Sequence, residues 1–233
     1  MARPVVEAVD LCKTFKLGAI EVEVLKEIQL TVWPGEFVSI MGPSGSGKST
    51  LLYLIGGLDK PTSGSIRVKG QELAAMKDRE ESILRRRELG FVFQFYNLVP
   101  NLTVEENVLL PLLLDGKRIK AEQGRLNRAL ESVGLSDRRH HTPRELSGGQ
   151  QQRVAIARAL INEPDIILAD EPIGNLDSAT GTEIMKLLKQ INREHGKTII
   201  QVTHSQEAAA YGDRIIQVRD GKVWEADAQH SGV

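Results

Sequence analysis

Apolar and polar residues alternate in short segments over residues 5–33, with Gly18 between two of the segments. A period of two is typical of strands with one face in the core, so this region predicts antiparallel strands. Pro34 and Gly35 then predict a turn. The short apolar run that follows, 37–41, predicts another strand.

The rest of the chain mixes apolar runs with helical periodicity. Further strands are predicted at 65–68, 89–93, 165–171 and 198–202, and a hairpin at 214–218 and 222–225. Helices are predicted from about Lys48 to 55, over 80–88, between 95 and 134, over 151–160, and from a cap at 175–178 to Gly196. The polar tail 226–233 is expected to fray. Strands that alternate with helices predict an α/β fold, into which the region after residue 95 inserts helices.

The composition limits the classes of function. The chain has 233 residues, of which 41% are hydrophobic and 26% are charged, and this fits a single soluble globular domain. Its net charge of −1 leaves no basic excess for binding nucleic acid. The one compact basic cluster, Arg85, Arg86 and Arg87, is expected on a solvated helix face.

Cysteine usage and hydropathy indicate the compartment. Cys12 is the single cysteine, so an internal disulfide is excluded. The N-terminal segment lacks the apolar region of a signal peptide, and we expect the reducing cytosol. No apolar run approaches the ~20 residues that cross a bilayer, since the longest, 108–114, is interrupted by Pro111. Any association with a membrane is therefore expected to depend on a partner.

A glycine-rich segment between the strand 37–41 and the helix from Lys48 fits the phosphate-loop pattern G-x-x-x-x-G-K-[ST]. Its residues are Gly42, Pro43, Ser44, Gly45, Ser46, Gly47, Lys48, Ser49 and Thr50. The glycines allow a tight turn that brings successive N–H groups onto phosphate oxygens, and the helix adds its positive dipole end. We expect Lys48 to reach the β- and γ-phosphates, Ser49 to bind Mg²⁺ and Thr50 to donate to phosphate.

Two adjacent carboxylates end the apolar strand 165–171. Because burying an unpaired charge is costly, Asp170 and Glu171 indicate a cation or catalysis. Asp170 fits the carboxylate on the Mg²⁺ side of a phosphate-loop enzyme, and Glu171 fits a base that activates the attacking water. The alternative is a pair of capping residues before Pro172.

Two more polar residues end buried strands. Gln94 and His204 should lie with Asp170 at the carboxyl edge of the sheet, where open α/β sheets bind ligands. A lone histidine is more often structural than catalytic, and a glutamine at a strand end is only suggestive. Their position relative to Asp170 is what makes them candidates.

Two further features are candidates for binding a nucleotide. Phe15, between Lys13 and Lys16, suits stacking on an adenine ring or, equally, packing into the core from a strand. The turn 147–150 precedes a helix and forms a second possible anion site in the same chain.

These motifs, in this order, resemble the nucleotide-binding subunit of an ATP-binding-cassette (ABC) system over essentially the whole chain. The Leu-Ser-Gly-Gly-Gln run at 146–150 is the specific part, because a phosphate loop alone occurs in many NTPases. The resemblance implies the ABC ATPase fold: a RecA-like P-loop NTPase core with an antiparallel β subdomain and an inserted α-helical subdomain. It implies one domain, 1–233, with about 1–94 and 160–233 as the core and about 95–159 as the helical subdomain.

The resemblance also implies roles for single residues. Within one chain it implies the adenine-stacking Phe15, the Mg²⁺ and water contact Gln94, the phosphate-binding Lys48, the general base Glu171 and the γ-phosphate switch His204. From a second chain it implies the phosphate contacts Ser147, Gly148 and Gly149, with Gln150, and the dimer-crossing acid Asp177. ATP and Mg²⁺ are the implied cofactors, and two chains are expected to enclose two ATP molecules head to tail.

Longer stretches are similar to the subgroup for macrolide export, lipoprotein release and antimicrobial-peptide resistance: 56–64 (GGLDKPTSG), 91–98 and 101–108. This implies an ATPase at the cytoplasmic face of a membrane that powers a permease for export, extraction or transmission of motion. Two departures are Ile173, where Thr is usual, and Ser205, where Asp is usual. The alternatives are a cell-division-type ABC ATPase that signals without transport, and a soluble ABC ATPase acting on nucleic acid. The single cassette without a basic excess disfavours the latter.

The apolar segment 95–100 follows Gln94 directly. We expect a groove between this segment and the helices up to Gly134, and we expect it to receive a short cytoplasmic helix of the permease. The alternative is that these side chains only pack the helical region onto the core.

Overall fold

The computed structural model describes residues 3–18 and 20–225. Its strands are β1 Val6–Leu17, β2 Ile20–Val32, β3 Phe37–Met41, β4 Ser63–Val68, β5 Gln71–Glu72, β6 Leu89–Val92, β7 Ile166–Asp170, β8 Thr198–Thr203, β9 Arg214–Arg219 and β10 Lys222–Glu225. Its α-helices are α1 Lys48–Ile55, α2 Asp78–Arg87, α3 Val104–Leu114, α4 Gln123–Ser132, α5 Gly148–Leu160, α6 Ser178–His195 and α7 Gln206–Ala209. The predicted polar tail, 226–233, lies outside the described residues.

A six-stranded sheet in the order β10-β9-β3-β8-β7-β6 forms the centre of the fold. The strands from β6 to β9 pair in parallel, and β10 pairs antiparallel with β9 in the predicted hairpin. Every residue of β3, β7 and β8 is buried, as expected of a parallel sheet with both faces covered. Their carboxyl ends, at Met41, Asp170 and Thr203, therefore lie along one edge.

A second, antiparallel sheet has the order β2-β1-β4-β5. Strands β1 and β2 pair from Val6 opposite Val32 to Leu17 opposite Ile20, which confirms the alternation predicted over 5–33. One apolar cluster joins this sheet to α1 and to one face of the central sheet, and a second cluster joins α3, α4, α5 and α6 to the other face. The two sheets and the helices therefore share two cores, with α1 directly behind the phosphate loop.

Two helix predictions are corrected by the structure. The helical region expected from residue 95 begins at Val104, because Tyr96 and Asn97 have left-handed φ values of 60° and 50° that no helix accepts. The helix predicted at 151–160 begins at Gly148, because the turn before it already has the geometry of a helix cap.

The basic cluster of α2 is not the solvated face that was expected. Arg86 and Arg87 both pair with Asp115, whose side chain is only 4% exposed. Arg85 donates to the carbonyl oxygen of Gly57 at 2.7 Å. The cluster therefore ties α2 to the end of α3 and to the segment after α1.

Helix α5 is bonded to two segments near the edge of the central sheet. Gln152, which is fully buried, donates to the carbonyl oxygen of Pro172 at 2.6 Å. Arg158 donates to the carbonyl oxygens of Tyr96 at 2.6 Å and Asn97 at 2.5 Å, and burial lowers the pKa of its guanidinium below the ordinary value. These bonds fix the left-handed backbone at 96–97. Within the described ranges, the structure contains no helix long and apolar enough to cross a membrane.

Candidate nucleotide-binding and catalytic site

A cavity of about 540 Å³ lies at the carboxyl edge of the central sheet. Of its lining residues, all but Val24 were singled out from the sequence: Ser44, Gly45, Gly47, Lys48, Ser49, Thr50, Gln94, Glu171 and His204. The structure therefore brings the phosphate loop, the strand-end glutamine, the glutamate and the histidine to one site.

The phosphate loop has the backbone that its glycines predict. Gly45 and Gly47 have φ values of 77° and 98°. A Cβ atom at Gly47 would lie 2.9 Å from Leu25 and 3.0 Å from Val24, so a larger residue would be both strained and obstructed. Gly47 therefore has to be glycine for the loop to pass under β2 and enter α1.

The N-terminus of α1 meets the requirements of an anion site. No side chain caps it, and its first turn contains no acidic residue, so its N–H groups and positive dipole end are available to a phosphate. Lys48 is 6% exposed, and its ammonium group donates to the carbonyl oxygens of Gly42 and Pro43 at 2.9 Å each. The hydroxyl of Ser46 is buried without a partner among the described residues. These donors fit a chain of phosphate groups.

Asp170 binds two hydroxyl groups of α1. Ser49 donates to one carboxylate oxygen at 2.9 Å, and Tyr53 donates to the other at 2.6 Å. Burial, together with the Asp170 carboxylate, raises the pKa of the Tyr53 phenol to about 12, so the phenol is a donor at neutral pH. Asp170 is 9% exposed and lies at the end of β7.

Glu171 follows β7 in a left-handed conformation, with φ of 46°. Its N–H donates to the carbonyl oxygen of Val202 at 2.9 Å, which holds its backbone against β8. One oxygen of its carboxylate lies 2.8 Å from Nδ1 of His204. The partners of Asp170 and Glu171 are thus hydroxyls and an imidazole, and the alternative of a capping pair before Pro172 is wrong.

Gln94 is held against the segment that follows Glu171. Its side-chain amide donates to Asn175 at 3.3 Å, and the Asn175 amide donates back to the Gln94 carbonyl at 2.9 Å. A Cβ atom at Gly174 would lie 2.9 Å from the Gln94 amide nitrogen. Gln94 and Glu171 are therefore positioned by the same turn.

Phe15 lies on β1 with 37% of its surface exposed, so the alternative in which it packs into the core is wrong. The ammonium group of Lys13 lies 4.7 Å from the centre of its ring. Lys13 is itself fixed, since it donates to Asp59 and to the carbonyl of Lys60 at 2.7 Å each. A cation thus lies over the ring of Phe15.

The turn 147–150 forms a capping box at the start of α5. Ser147 accepts from the N–H of Gln150 at 3.3 Å, and Gln150 accepts from the N–H of Ser147 at 2.9 Å. Ser147 is exposed, Gly148 is half-buried and Gly149 is buried. The first turn of α5 has no acidic residue, so it is a second anion-type helix end, but none of these residues lines the cavity.

Asp177 caps α6 and is exposed. It accepts from the hydroxyl of Thr180 at 2.6 Å and from the N–H of Thr180 at 3.0 Å, and these bonds lower the pKa of Asp177. Of the two departures from the subgroup, Ser205 caps α7, and Ile173 packs partly buried against the core. Neither side chain lines the cavity.

A separate groove of about 330 Å³ lies between β6 and α3. Phe91 and Phe93, whose rings stack at 5.7 Å, form one wall, and Leu110, Pro111 and Leu114 form the other. The groove expected beside the segment 95–100 is therefore present, and Asn97 of that segment lines it.

Some side chains of the apolar segment 95–100 pack onto the core, and others are exposed. Leu98 packs against the core, and both backbone groups of Val99 are bonded to the buried side chain of Asn107. Phe95, in contrast, is 72% exposed. Leu98 packs the helical region onto the core, whereas Phe95 remains available to another molecule.

Two residues of the site were missed from the sequence. Val24 was part of the alternating strand pattern, and nothing in that pattern indicates that β2 reaches the phosphate loop. Tyr53 had a usable signal, because it stands four residues after Ser49 and so shares its helix face.

The donor set also fits Mg²⁺. Ser49, Asp170 and Gln94 offer hydroxyl, carboxylate and amide oxygens, which are ligands of hard cations. Among the described residues, no cluster of three or more His, Cys, Asp or Glu could hold a metal by protein ligands alone.

The fold and the site together define an ATP-binding cassette, and the comparisons agree. The family model for ABC transporters matches residues 25–174, so the chain belongs to the ABC transporter family. It has the predicted ABC ATPase fold, and it is an ATP-binding and ATP-hydrolysing subunit homologous to those of transporters.

Particular relatives cover nearly the whole chain. An uncharacterized ABC transporter ATP-binding protein of Thermotoga maritima is 51% identical over 95% of this chain and 94% of its own length. The macrolide export ATP-binding/permease protein MacB of Azoarcus sp. is 50% identical over 94% of this chain, which spans 33% of MacB.

Solved structures give the same result. A dimeric structure of MJ0796, an ABC transporter cassette, has a TM-score of 0.88 at 48% identity and covers 97% of this chain and 99% of its own. A second MJ0796 dimer, in a post-hydrolysis state bound to ADP and Pi, has a TM-score of 0.88 at 47% identity, with the same coverage. MJ0796 is a protein of Methanocaldococcus jannaschii.

Proposed function

We propose that two copies of this chain bind two ATP molecules head to tail and that hydrolysis drives a membrane permease, with the subunit peripheral on the cytoplasmic face. The domain is one cassette, with about 1–94 and 160–233 as the core and about 95–159 as the helical subdomain. The observation that carries the proposal is that the turn 147–150 has the chemistry of an anion site but lies outside the cavity that holds the other phosphate-binding groups. A second chain brings the two together.

In this proposal the phosphate loop holds the triphosphate. N–H groups at the start of α1 and the ammonium group of Lys48 bind the β- and γ-phosphates, and Thr50 adds a hydroxyl donor. Phe15 stacks on adenine with the face that Lys13 leaves open. Mg²⁺, which would neutralise developing charge on the phosphates, would be held by Ser49, Asp170 and Gln94.

Glu171 is the proposed general base. One oxygen of its carboxylate is bonded to Nδ1 of His204, so the other is left to accept a proton from the attacking water. His204 fixes the orientation of Glu171 and senses the γ-phosphate from the same cavity wall. Gln94 orients the water, since it is held by the turn that follows Glu171.

The second chain contributes the N-terminus of its own α5. Ser147, Gly148 and Gly149, with Gln150 completing the cap, would bind the γ-phosphate held by the first chain. Asp177, exposed at the start of α6, would cross the interface. The dimeric MJ0796 structures support this arrangement by analogy.

Turnover and dimerisation test the proposal together. Glu171→Gln should bind ATP, lose about 10²- to 10⁴-fold in turnover and elute as a dimer by light scattering in saturating Mg-free ATP. The control is Glu207→Gln, an exposed glutamate just past the site, which should hydrolyse ATP normally. Adding Ser147→Arg should abolish the dimer and spare ATP binding, whereas Ser136→Arg, at another exposed serine, should not. A persistent Ser147→Arg dimer, or turnover within a few-fold of wild type in Glu171→Gln, contradicts the proposal.

The permease is proposed to dock in the groove between β6 and α3. The surface of this groove is mainly apolar. Asn97 lines it, and Arg158 bonds Asn97 to α5, so a docked helix would be connected to the helix that carries the turn 147–150. Leu114 lines it and is 70% exposed, whereas Leu113 is 51% exposed and does not line it. Leu114→Gln should keep basal ATPase activity and lose co-purification with its membrane partner, and Leu113→Gln should keep both. Equal retention in the two variants would place docking elsewhere.

A further inference from the structure

We propose that Tyr53 is a positioning residue for the carboxylate on the Mg²⁺ side: its hydroxyl holds one oxygen of Asp170, so that the other oxygen stays directed at Ser49 and the metal. This inference rests on the proposed function, in which Ser49 and Asp170 hold Mg²⁺. It assigns a role to a residue outside the phosphate-loop pattern, four residues beyond Ser49, the last position of that pattern.

The geometry of α1 places the two hydroxyls on one carboxylate. Ser49 and Tyr53 stand four residues apart and so share a helix face, with about 6 Å of rise between them. Helical side chains lean toward the N-terminus, so the long tyrosine side chain reaches the level of the short serine one turn earlier. The result is one hydroxyl on each oxygen of Asp170, Ser49 at 2.9 Å and Tyr53 at 2.6 Å.

The electrostatics make the second hydroxyl necessary. Asp170 is 9% exposed, and among the described residues its side chain pairs with no lysine, arginine or histidine. A buried carboxylate without a counter-ion depends on hydrogen-bond donors for its stabilisation. The Tyr53 bond has the short length of a hydroxyl donating to an ionised carboxylate.

The consequence for the metal follows from its coordination. Mg²⁺ demands near-ideal octahedral geometry, so a carboxylate that turns about its side-chain axis loses much of its value as a ligand. One hydrogen bond from Ser49 still allows the carboxylate to rotate, and the hydrogen bond from Tyr53 to the opposite oxygen prevents this rotation. Outer-shell partners of this kind typically change metal affinity by about 10- to 100-fold.

The test separates metal-dependent binding from nucleotide binding. AMP-PNP is titrated calorimetrically into wild type and Tyr53→Phe, with Mg²⁺ and with EDTA, and the quantity compared is the affinity gained on adding Mg²⁺. The control is Tyr211→Phe, which removes a hydroxyl from a partly buried tyrosine that is not bonded to Asp170. We expect Tyr53→Phe to reduce the Mg²⁺-dependent gain by about 10-fold or more, with the EDTA affinity within twofold of wild type. Tyr211→Phe should change neither.

Asp170→Asn, measured in the same way, separates the role of Tyr53 from the proposed metal site. If Asp170→Asn abolishes the Mg²⁺-dependent gain and Tyr53→Phe leaves it intact, the role of Tyr53 is overturned and the metal site stands. If Asp170→Asn itself keeps the full gain, the proposed metal site is overturned and the role of Tyr53 with it. Equal weakening by Tyr53→Phe in Mg²⁺ and in EDTA would show that Tyr53 serves the fold of the phosphate loop, and that also overturns the inference.

Discussion

Gly149 tests how closely α5 must approach α6. A Cβ atom built there would lie 2.4 Å from Cγ2 of Thr180, well inside van der Waals contact. Thr180 cannot simply rotate away, because its hydroxyl is bonded to Asp177 at 2.6 Å in the cap of α6. Gly149→Ala must therefore either separate the two helices or break that cap.

The sizes of the opposing energy terms decide whether Gly149→Ala stabilises or destabilises the protein. Alanine in place of glycine inside a helix is favourable by about 1 kcal/mol. Overpacking costs about 1–3 kcal/mol, and losing an N-cap costs about 0.5–2 kcal/mol. Gly149 is the second residue of α5, so only about half of that helix-interior gain applies. Against overpacking of about 1–3 kcal/mol, the net effect of Gly149→Ala is a loss of about 0.5–2.5 kcal/mol, or roughly 1–10 °C in melting temperature for a chain of this length.

A double-mutant cycle in urea makes the test specific. Thr180→Ser removes the obstructing methyl group and keeps the hydroxyl on Asp177, so Gly149→Ala with Thr180→Ser should regain at least ~1 kcal/mol over Gly149→Ala alone. Gly148→Ala is the matched control, because its Cβ would meet only the far ends of two side chains, the Tyr96 hydroxyl at 3.0 Å and Cδ2 of Leu176 at 3.3 Å. A coupling energy near zero, or a Gly149→Ala variant as stable as wild type, would refute the steric argument.

Three further outcomes are expected. Phe15→Ala should weaken ATP binding by about 5- to 150-fold, the equivalent of 1–3 kcal/mol for stacking on a base, while Phe15→Trp should retain it in the same calorimetric titration. Arg158→Gln should lower the urea midpoint and increase hydrogen exchange of the amides at 95–97, because two carbonyls lose a charged donor. Burial alone would raise the pKa of Asp213, but hydrogen bonds from Lys189 and from the Phe37 amide lower it overall. The ionised carboxylate therefore stabilises the fold above about pH 4, its ordinary pKa. That contribution is lost as the pH falls through the pKa of the folded state. Asp213→Asn should therefore lose less stability than wild type between pH 7 and pH 3, as measured by urea denaturation.

The sequence predicted the features that follow from the local hydrophobic pattern and from the shared carboxyl edge of parallel strands. It placed Asp170 at a strand end beside the phosphate loop, because buried parallel strands read as apolar runs whose carboxyl ends coincide. It left the direction of Phe15 open, because β1 carries register shifts that a period of two does not show. It missed the pairing of Arg86 with Asp115, because the two residues are distant along the chain. It also missed the contact of Tyr53 with Asp170, for which the spacing from Ser49 was the one local signal.

Helix α5 is 13 residues long, or about 20 Å, and its two ends serve different nucleotides in the proposed dimer. In that dimer Ser147 at one end would face the ATP of the opposite chain, while Arg158 near the other end is bonded to the carbonyls of Tyr96 and Asn97, close to Gln94 of its own chain. A rigid helix held at both ends cannot shift at one ATP site without also shifting at the other. The two hydrolysis events should therefore be interdependent, and the rate should rise with ATP concentration more steeply than a simple hyperbola, with a Hill coefficient between one and two.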